Sequence, residues 1–201
     1  VTSDPDEFGA KPVVLRCGRC GRYVDWDEAQ LQIICSCRAR IPLSPILVHE
    51  ATDQDRSVVR SLFQRDFGRT HIVAFGEVMN VDAMPALVAT IHEEVSGALA
   101  YRLHGDGLHV VALATDPMWQ RSGVGGQLVA EVELLARRLG LARLVVTTTN
   151  DNLPALYFYQ RRGYRLTGIV PGSVVARVGN AIAGFAGIPI RDEVQLEKPL
   201  G

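Results

Sequence analysis

Between residues 85 and 114 the apolar positions fall into three short blocks broken by polar turn signals. The blocks are residues 85–91, 97–103 and 108–114, separated by Glu93-Glu94 and by Gly105-Asp106-Gly107. Blocks of this length bounded by turn formers predict consecutive β-strands. The period then changes. Leu128, Val132, Leu135 and Leu139 recur at helical spacing, while Glu131, Arg137 and Arg138 suit a solvated face. This predicts a helix from about 124 to 139, ended by Gly140. Residues 144–148 form a β-branched run that predicts a strand. Asn152 can cap a further helix, with Pro154 tolerated in its first turn and Gly163 stopping it. Residues 164–170 and 193–197 supply two last strands. Upstream, Ile46-Leu47-Val48 reads as a strand. Thr52 or Asp53 then caps a helix reaching about Phe67, with Val58, Val59, Leu62 and Phe63 on its inner side. Residues 68–84 carry no clear pattern, and no internal repeat is present. Strands, helices and parallel crossovers together point to a mixed α/β sheet.

Composition narrows the class. The chain has 201 residues, enough for one domain plus a small module, and 47% of them are hydrophobic, enough for a real core. Formal net charge is −1 with no long basic run, so duplex nucleic acid is not an expected partner. Residues 1–12 read as a tail; they hold Asp4, Asp6, Glu7 and two prolines and do not form a charged-then-apolar leader. A cytoplasmic protein without a membrane partner is expected. Residues 170–190 are long and apolar, but they contain Arg177, Asn180, Pro171, Pro189 and repeated glycines. A Gly-rich loop packed on the domain is therefore expected there rather than a spanning helix.

All four cysteines lie in a module at 13–44, set off by Pro42 and Pro45 from a second unit at 45–201. They form Cys17-x-x-Cys20 and Cys35-x-Cys37, and the first pair is flanked by Gly18 and Gly21. Four thiolates satisfy tetrahedral Zn²⁺ with no open position, which makes the site structural. A module of ~30 residues cannot hold itself together by apolar burial alone and needs such a staple. Two disulfides would serve a secreted chain, but nothing here suggests secretion. A redox Cys-x-x-Cys follows a strand in a thioredoxin-like unit, which this stretch lacks. One Zn²⁺ per chain on Cys17, Cys20, Cys35 and Cys37 is expected, with iron or disulfides as the alternatives. The module resembles a zinc ribbon, from which the Cys-x-Cys pair departs. Five arginines (Arg16, Arg19, Arg22, Arg38 and Arg40) make it locally basic, offset by Asp25, Asp27 and Glu28.

The stretch Gln120-Arg121-Ser122-Gly123-Val124-Gly125-Gly126 joins a predicted strand to a predicted helix. First-turn amides without partners, the helix dipole and glycines that admit close approach suggest a phosphate or pyrophosphate cradle. About thirty residues later comes Asn152-Leu153-Pro154-Ala155-Leu156-Tyr157-Phe158-Tyr159-Gln160-Arg161-Arg162-Gly163-Tyr164. The first stretch matches Q/R-x-x-G-x-G/A at Gln120, Gly123 and Gly125. The second matches N-x-x-A-x-x-x-Y-x-x-x-G-F/Y at Asn152, Ala155, Tyr159, Gly163 and Tyr164. In this order, the two motifs resemble the GCN5-related N-acetyltransferase (GNAT) superfamily over roughly residues 46–198.

The resemblance implies a GNAT-like α/β (α+β) fold: a mixed, mostly antiparallel twisted sheet with a splayed parallel pair and flanking helices. It implies an acetyl-CoA-dependent N-acetyltransferase, in which the strands at 108–114 and 144–148 part and pantetheine runs along the first. Leu113, Ala114 and Thr115 would contact pantetheine through their backbone, with an amide near Leu113 facing the thioester oxygen. Gln120 and the amides of Arg121, Ser122, Gly123, Val124, Gly125 and Gly126 would hold the pyrophosphate, and Asn152 would touch the cofactor arm. Replacing Gly123 or Gly125 by Val is expected to block that approach with the fold largely intact. Tyr159 would give a proton to the departing thiolate, a task its ordinary pKa near 10 suits. The competing reading for Tyr159 is an aromatic packed on the sheet, as expected for Tyr157 and Phe158.

An alkylamine is only about one part in 2,500 neutral at pH 7, so a general base is needed. His109, Glu77, Asp82, His92 and Glu94 are all candidates and the sequence does not choose among them. The acceptor, a small-molecule or protein amine, is equally open, and a homodimer is compatible with this reading. The alternative function is a CoA-binding sensor or interaction module without turnover. Retention of Tyr159 beside the glycine loop favours the enzyme.

Overall fold

Residues 13–17, 19–26, 33–180 and 182–201 are described in the computed structural model. In the cysteine module, β1 (Val13–Arg16) pairs antiparallel with β2 (Tyr23–Trp26), and β3 (Ile33–Ile34) with β4 (Arg40–Ile41). Buried Cys17, Cys35, Ile33, Ala39 and Ile41 form its small core. The predicted tail at 1–12, together with Gly18, Asp27 and Glu28, lies outside the described residues.

The larger unit runs β5 (Leu47–Glu50), α1 (Arg56–Phe67), β6 (His71–Ala74), β7 (Glu77–Asn80), β8 (Ala86–Ile91), β9 (Glu94–His104) and β10 (Gly107–Thr115). It continues through α2 (Val124–Arg138), β11 (Arg143–Thr149), α3 (Leu153–Gln160) and β12 (Arg165–Val170). Then come α4 (Ser173–Val178), β13 (Ile182–Ala183), β14 (Pro189–Ile190) and β15 (Glu193–Pro199). Seven strands form one sheet in the order β12-β15-β11-β10-β9-β8-β5, in which β10–β11 is the parallel pair and the other neighbours are antiparallel. The expected mixed, mostly antiparallel sheet is therefore present.

Each face of the sheet carries its own core. On one face Leu108, Val110 and Leu144 pack with Leu128, Val129 and Val132 of α2, and with Tyr159 of α3. On the other, Val59, Leu62 and Phe63 of α1 pack over Ala98, Ala100, Ala112 and Ala114, together with Ile72 and Met79 of the β6–β7 hairpin. Alternation along each strand divides the residues between the two faces. Gly97 sets the start of α2 close to the sheet: a Cβ there would lie 2.6 Å from Val124 Cγ1 and 3.0 Å from the Ala114 carbonyl.

Several local expectations change. Helix α1 starts after Asp55, not at Thr52 or Asp53, because the Asp55 carboxylate accepts from Thr52 N and Oγ1 (2.8 and 2.7 Å) and closes a turn first. Val58 and Leu139 are exposed, since the inner faces of α1 and α2 are narrower than their apolar stripes. Residues 68–84 contain the β6–β7 hairpin, and 170–190 contain α4 and the β13–β14 pair rather than a plain loop. Among the described residues no helix is long and apolar enough to cross a membrane.

Candidate active site

The parallel pair parts at a defined point. Gly107–Val110 pair with Arg143–Val146, and pairing between β10 and β11 ends at Val110 and Val146. Beyond it each strand keeps its outer neighbour: β10 pairs with β9 as far as Thr115↔Gly97, and β11 with β15 as far as Thr149↔Glu193. The inner edges are left without each other, which opens a cleft with free strand hydrogen-bonding groups on its walls. A bulge on β10 between Val110 and Ala112 helps turn it away. The cleft encloses about 940 Å³.

The glycine loop forms one end. Asp116 accepts from Met118 N (2.8 Å) and Ser122 Oγ donates to the Trp119 carbonyl (2.6 Å), which holds the turn before α2 rigid. Arg121 (φ 70°) and Gly123 (φ 108°) then carry the chain through the left-handed region, with Gly123 as the cap residue. The first-turn amides of α2 have no intrahelical acceptor, and the turn holds no acidic residue. Four arginines (Arg19, Arg121, Arg161 and Arg162) and one aspartate, Asp66, line the cleft. This donor set and charge suit an elongated polyanionic ligand. Of the residues singled out from sequence, Leu113, Thr115, Gln120, Arg121, Gly123, Gly125, Gly126, Asn152 and Tyr159 line it. The side chains of Ala114, Ser122 and Val124 are buried beneath, leaving only their backbone for a ligand.

Helix α3 supplies a further wall, packed against the glycine loop. Asn152 accepts from Ala155 N (3.2 Å) and caps the helix. The three consecutive aromatics separate cleanly. Tyr157 is exposed, not packed on the sheet as expected, and its hydroxyl accepts from Arg161 (2.9 Å). Phe158 is half-buried with Arg162 over its ring. Tyr159 is only 4% exposed and packs edge-on against Phe158 and Tyr164, with centroids 5.0 and 5.2 Å away. Burial raises the Tyr159 phenol far above its ordinary pKa, so it stays protonated at physiological pH.

Residues 50–164, more than half the chain, match the family model described as Acetyltransferase (GNAT) family. The chain belongs to the GNAT acetyltransferase family. It is similar to the uncharacterized protein YdhI of Bacillus subtilis (strain 168), with 29% identity over 163 residues, 79% of this chain and 96% of YdhI. Among solved structures it resembles a Bacillus subtilis acetyltransferase in complex with CoA (TM-score 0.62, 19% identity, 77% of this chain and 99% of that one). It also resembles a GNAT family acetyltransferase from Elizabethkingia anophelis with acetyl-CoA bound (TM-score 0.60, 21% identity, 77% and 97%).

On the α1 face of this GNAT sheet lies a second cavity of about 300 Å³, lined by Phe75, Glu77, Arg102, His104, His109, Arg177, Glu193 and Gln195 among others. His109 is 9% exposed, stacks on Phe75 (4.3 Å between centroids) and has no partner for Nδ1 among the described residues. Burial pushes its pKa down to about 4, so it is neutral at pH 7. The hydrogen bond from Arg102 (2.8 Å) holds Glu77 below the usual carboxylate range. The other base candidates fall elsewhere: Asp82 accepts from Arg60 (2.9 Å), His92 bonds Ser44 (3.0 Å), and Glu94 is exposed. None of these three lines either cavity. No sequence pattern marks Arg162 or the buried Glu193: Arg162 is held over Phe158 but meets Gly126 only through tertiary packing, and Glu193 is placed by the pairing of β15 with β11.

In the cysteine module the four Sγ atoms lie within 4.8 Å of one another. Cys17 to Cys37 is 3.7 Å and Cys20 to Cys35 is 3.5 Å, and the cysteines are unlinked. Tetrahedral Zn–S bonds of ~2.3 Å put sulfurs ~3.8 Å apart, so the set fits a four-thiolate metal site. The Cys37 amide points at Cys35 and lowers that thiol to about 6.

Proposed function

We propose that this chain transfers an acetyl group from acetyl-CoA to a primary amine by direct attack in a ternary complex. The observation that carries the reading is the cleft between β10 and β11, with anion-ready amides at one end and Tyr159 on its wall. Acetyl-CoA, when bound, supplies the thioester carbonyl and the leaving sulfur. The amides of residues 121–126 hold its pyrophosphate, and the open edge of β10 at Leu113, Ala114 and Thr115 binds the pantetheine arm. An N–H near Leu113 faces the carbonyl oxygen, where it stabilises developing negative charge. The amine nitrogen bonds the acetyl carbon as the C–S bond breaks and loses its proton to water, while Tyr159 protonates the departing thiolate and is itself reprotonated from water. Asn152 fixes the start of α3 and touches the cofactor arm. The four cysteines hold one structural Zn²⁺.

Release of CoA measured across a panel of small amines and amine-bearing peptides tests this function. Acceptor-dependent release above the protein-free rate is expected with at least one class. Tight CoA binding with no release on any acceptor would favour a CoA-binding module instead.

A further inference from the structure

The chain's own route sets the cysteine module beside the glycine loop. It leaves the module through Pro42–Pro45 into β5, and Ile46 packs on the α2-side core. A Cβ at Gly123 would lie 3.8 Å from Ile46 Cδ1. On the other side of the junction, Ser44 Oγ lies 3.0 Å from His92 Nδ1. The module is thereby pinned at the end of the cleft where α2 begins. Arg19, in the turn between Cys17 and Cys20, lines the same cleft as Arg121, Gly123 and Gly126. Its Nη1 donates to the Cys37 carbonyl at 2.9 Å, tying the guanidinium to the second cysteine pair. A guanidinium has five N–H donors, so this bond leaves the remaining donors for a ligand. Arg22 provides the contrast: it donates to Ser36 Oγ (2.8 Å) and does not line the cleft.

We propose that Arg19 binds a phosphate group of the coenzyme, so that the cysteine module forms part of the acetyl-CoA site. This rests on the coenzyme reading above. The cation adds to the field of the α2 start and of Arg121, and guanidinium–phosphate pairing is charge-assisted. Whatever holds Cys17, Cys20, Cys35 and Cys37 together also holds Arg19 in place. Metal occupancy and coenzyme affinity are therefore coupled, and the coupling is reciprocal.

Calorimetric titration of CoA and 3′-dephospho-CoA into the full chain, as wild type, Arg19→Gln, Arg22→Gln and Gly125→Val, tests the proposal. Arg19→Gln should weaken CoA binding by about three- to tenfold, because the pair is solvent-exposed. Arg22→Gln should stay within about twofold of wild type. A loss confined to CoA assigns Arg19 to the ribose 3′-phosphate; a loss shared by dephospho-CoA assigns it to the pyrophosphate. Either supports the proposal. Wild-type affinity in Arg19→Gln overturns it, as does an equal loss in Arg22→Gln, which would mean diffuse charge only. If the wild type does not bind CoA, the coenzyme reading itself fails. If the wild type binds, Gly125→Val does not, and Arg19→Gln matches wild type, only the role of Arg19 fails.

Discussion

Gly126 and Arg162 are fitted to each other across the wall of the cleft: a Cβ on Gly126 would lie 2.6 Å from Arg162 Nη2. The guanidinium lies over Phe158, 3.8 Å from the ring centroid, and donates to the Phe158 carbonyl at 3.0 Å. The missing side chain at 126 therefore lets a cation rest beside the first turn of α2. Gly126→Ala should push the flexible end of Arg162 off the ring without unfolding the protein. CoA affinity should fall by about two- to tenfold with the melting temperature nearly unchanged. Unaltered affinity would mean that Arg162 only covers Phe158.

Gly125 and Gly123 are not equivalent, contrary to what the motif suggests. A Cβ at Gly125 would meet Phe158 Cζ at 3.5 Å and Leu113 Cδ2 at 3.7 Å, ordinary contacts in a helical turn. The further methyls of Gly125→Val must enter the cleft, so roughly ten- to hundredfold weaker CoA binding is expected in a folded protein. Gly123 has φ 108°, so Gly123→Val strains the backbone by about 1–3 kcal/mol and should also lower the melting temperature. Thermal melts beside calorimetry separate the two effects.

Tyr159→Phe removes one oxygen and keeps the ring packed against Phe158 and Tyr164. Folding and CoA affinity should change little. Proton donation typically contributes ~10²–10⁴-fold, so kcat should drop by about that factor on an acceptor the wild type uses. Near wild-type turnover, with chemistry limiting the rate, would reduce Tyr159 to a packing residue.

Metal analysis of the purified protein should find close to one equivalent of zinc per chain. Removing it with a chelator should loosen the cysteine module before the sheet, because among the described residues the module core consists of five buried residues, two of them cysteines. Protease susceptibility mapped along the chain reads this order directly. Metal-free protein with two disulfides would refute it.

His109 imposes a pH dependence on stability. Burial, reinforced by Arg102, His104 and Arg143 and opposed by Glu197, lowers its pKa from 6.5 to about 4. Between those values the unfolded chain binds more protons than the folded one, so stability rises with pH there. The contribution is complete above about 6.5 and is lost as pH falls through about 4. His109→Gln should flatten the melting temperature across that window. An unchanged slope would place the titrating group elsewhere.

Much of this protein is legible in its sequence because burial of one face imposes a period. The strands β8, β9, β10 and β11 and the helices α2 and α3 lie within a few residues of where alternation, helical spacing and the turn formers place them. The glycine loop and the Asn152 cap are local too, since a backbone conformation or a first-turn hydrogen bond involves residues within a few positions of one another. The four cysteines declare themselves by spacing, and their sulfurs do converge.

Other features depend on residues far apart in the chain. The cleft exists because β15, at the end of the chain, holds β11 while β9 holds β10, and no window around Val110 or Val146 contains that information. Helical spacing alone cannot rank Tyr157, Phe158 and Tyr159; only the motif register singles out Tyr159, and only packing against Tyr164 and α2 turns it inward. The hairpin within 68–84 is defined by Ile72 and Met79 meeting α1 on the same face, and α4 within 170–190 has too few residues to carry a periodic signal. Arg19 reaches the cleft because Ile46 packs by Gly123, more than seventy residues downstream. Sequence by itself determined the elements whose burial imposes a period and the local glycine and cysteine motifs; tertiary packing decided the hairpin, α4 and which groups face one another.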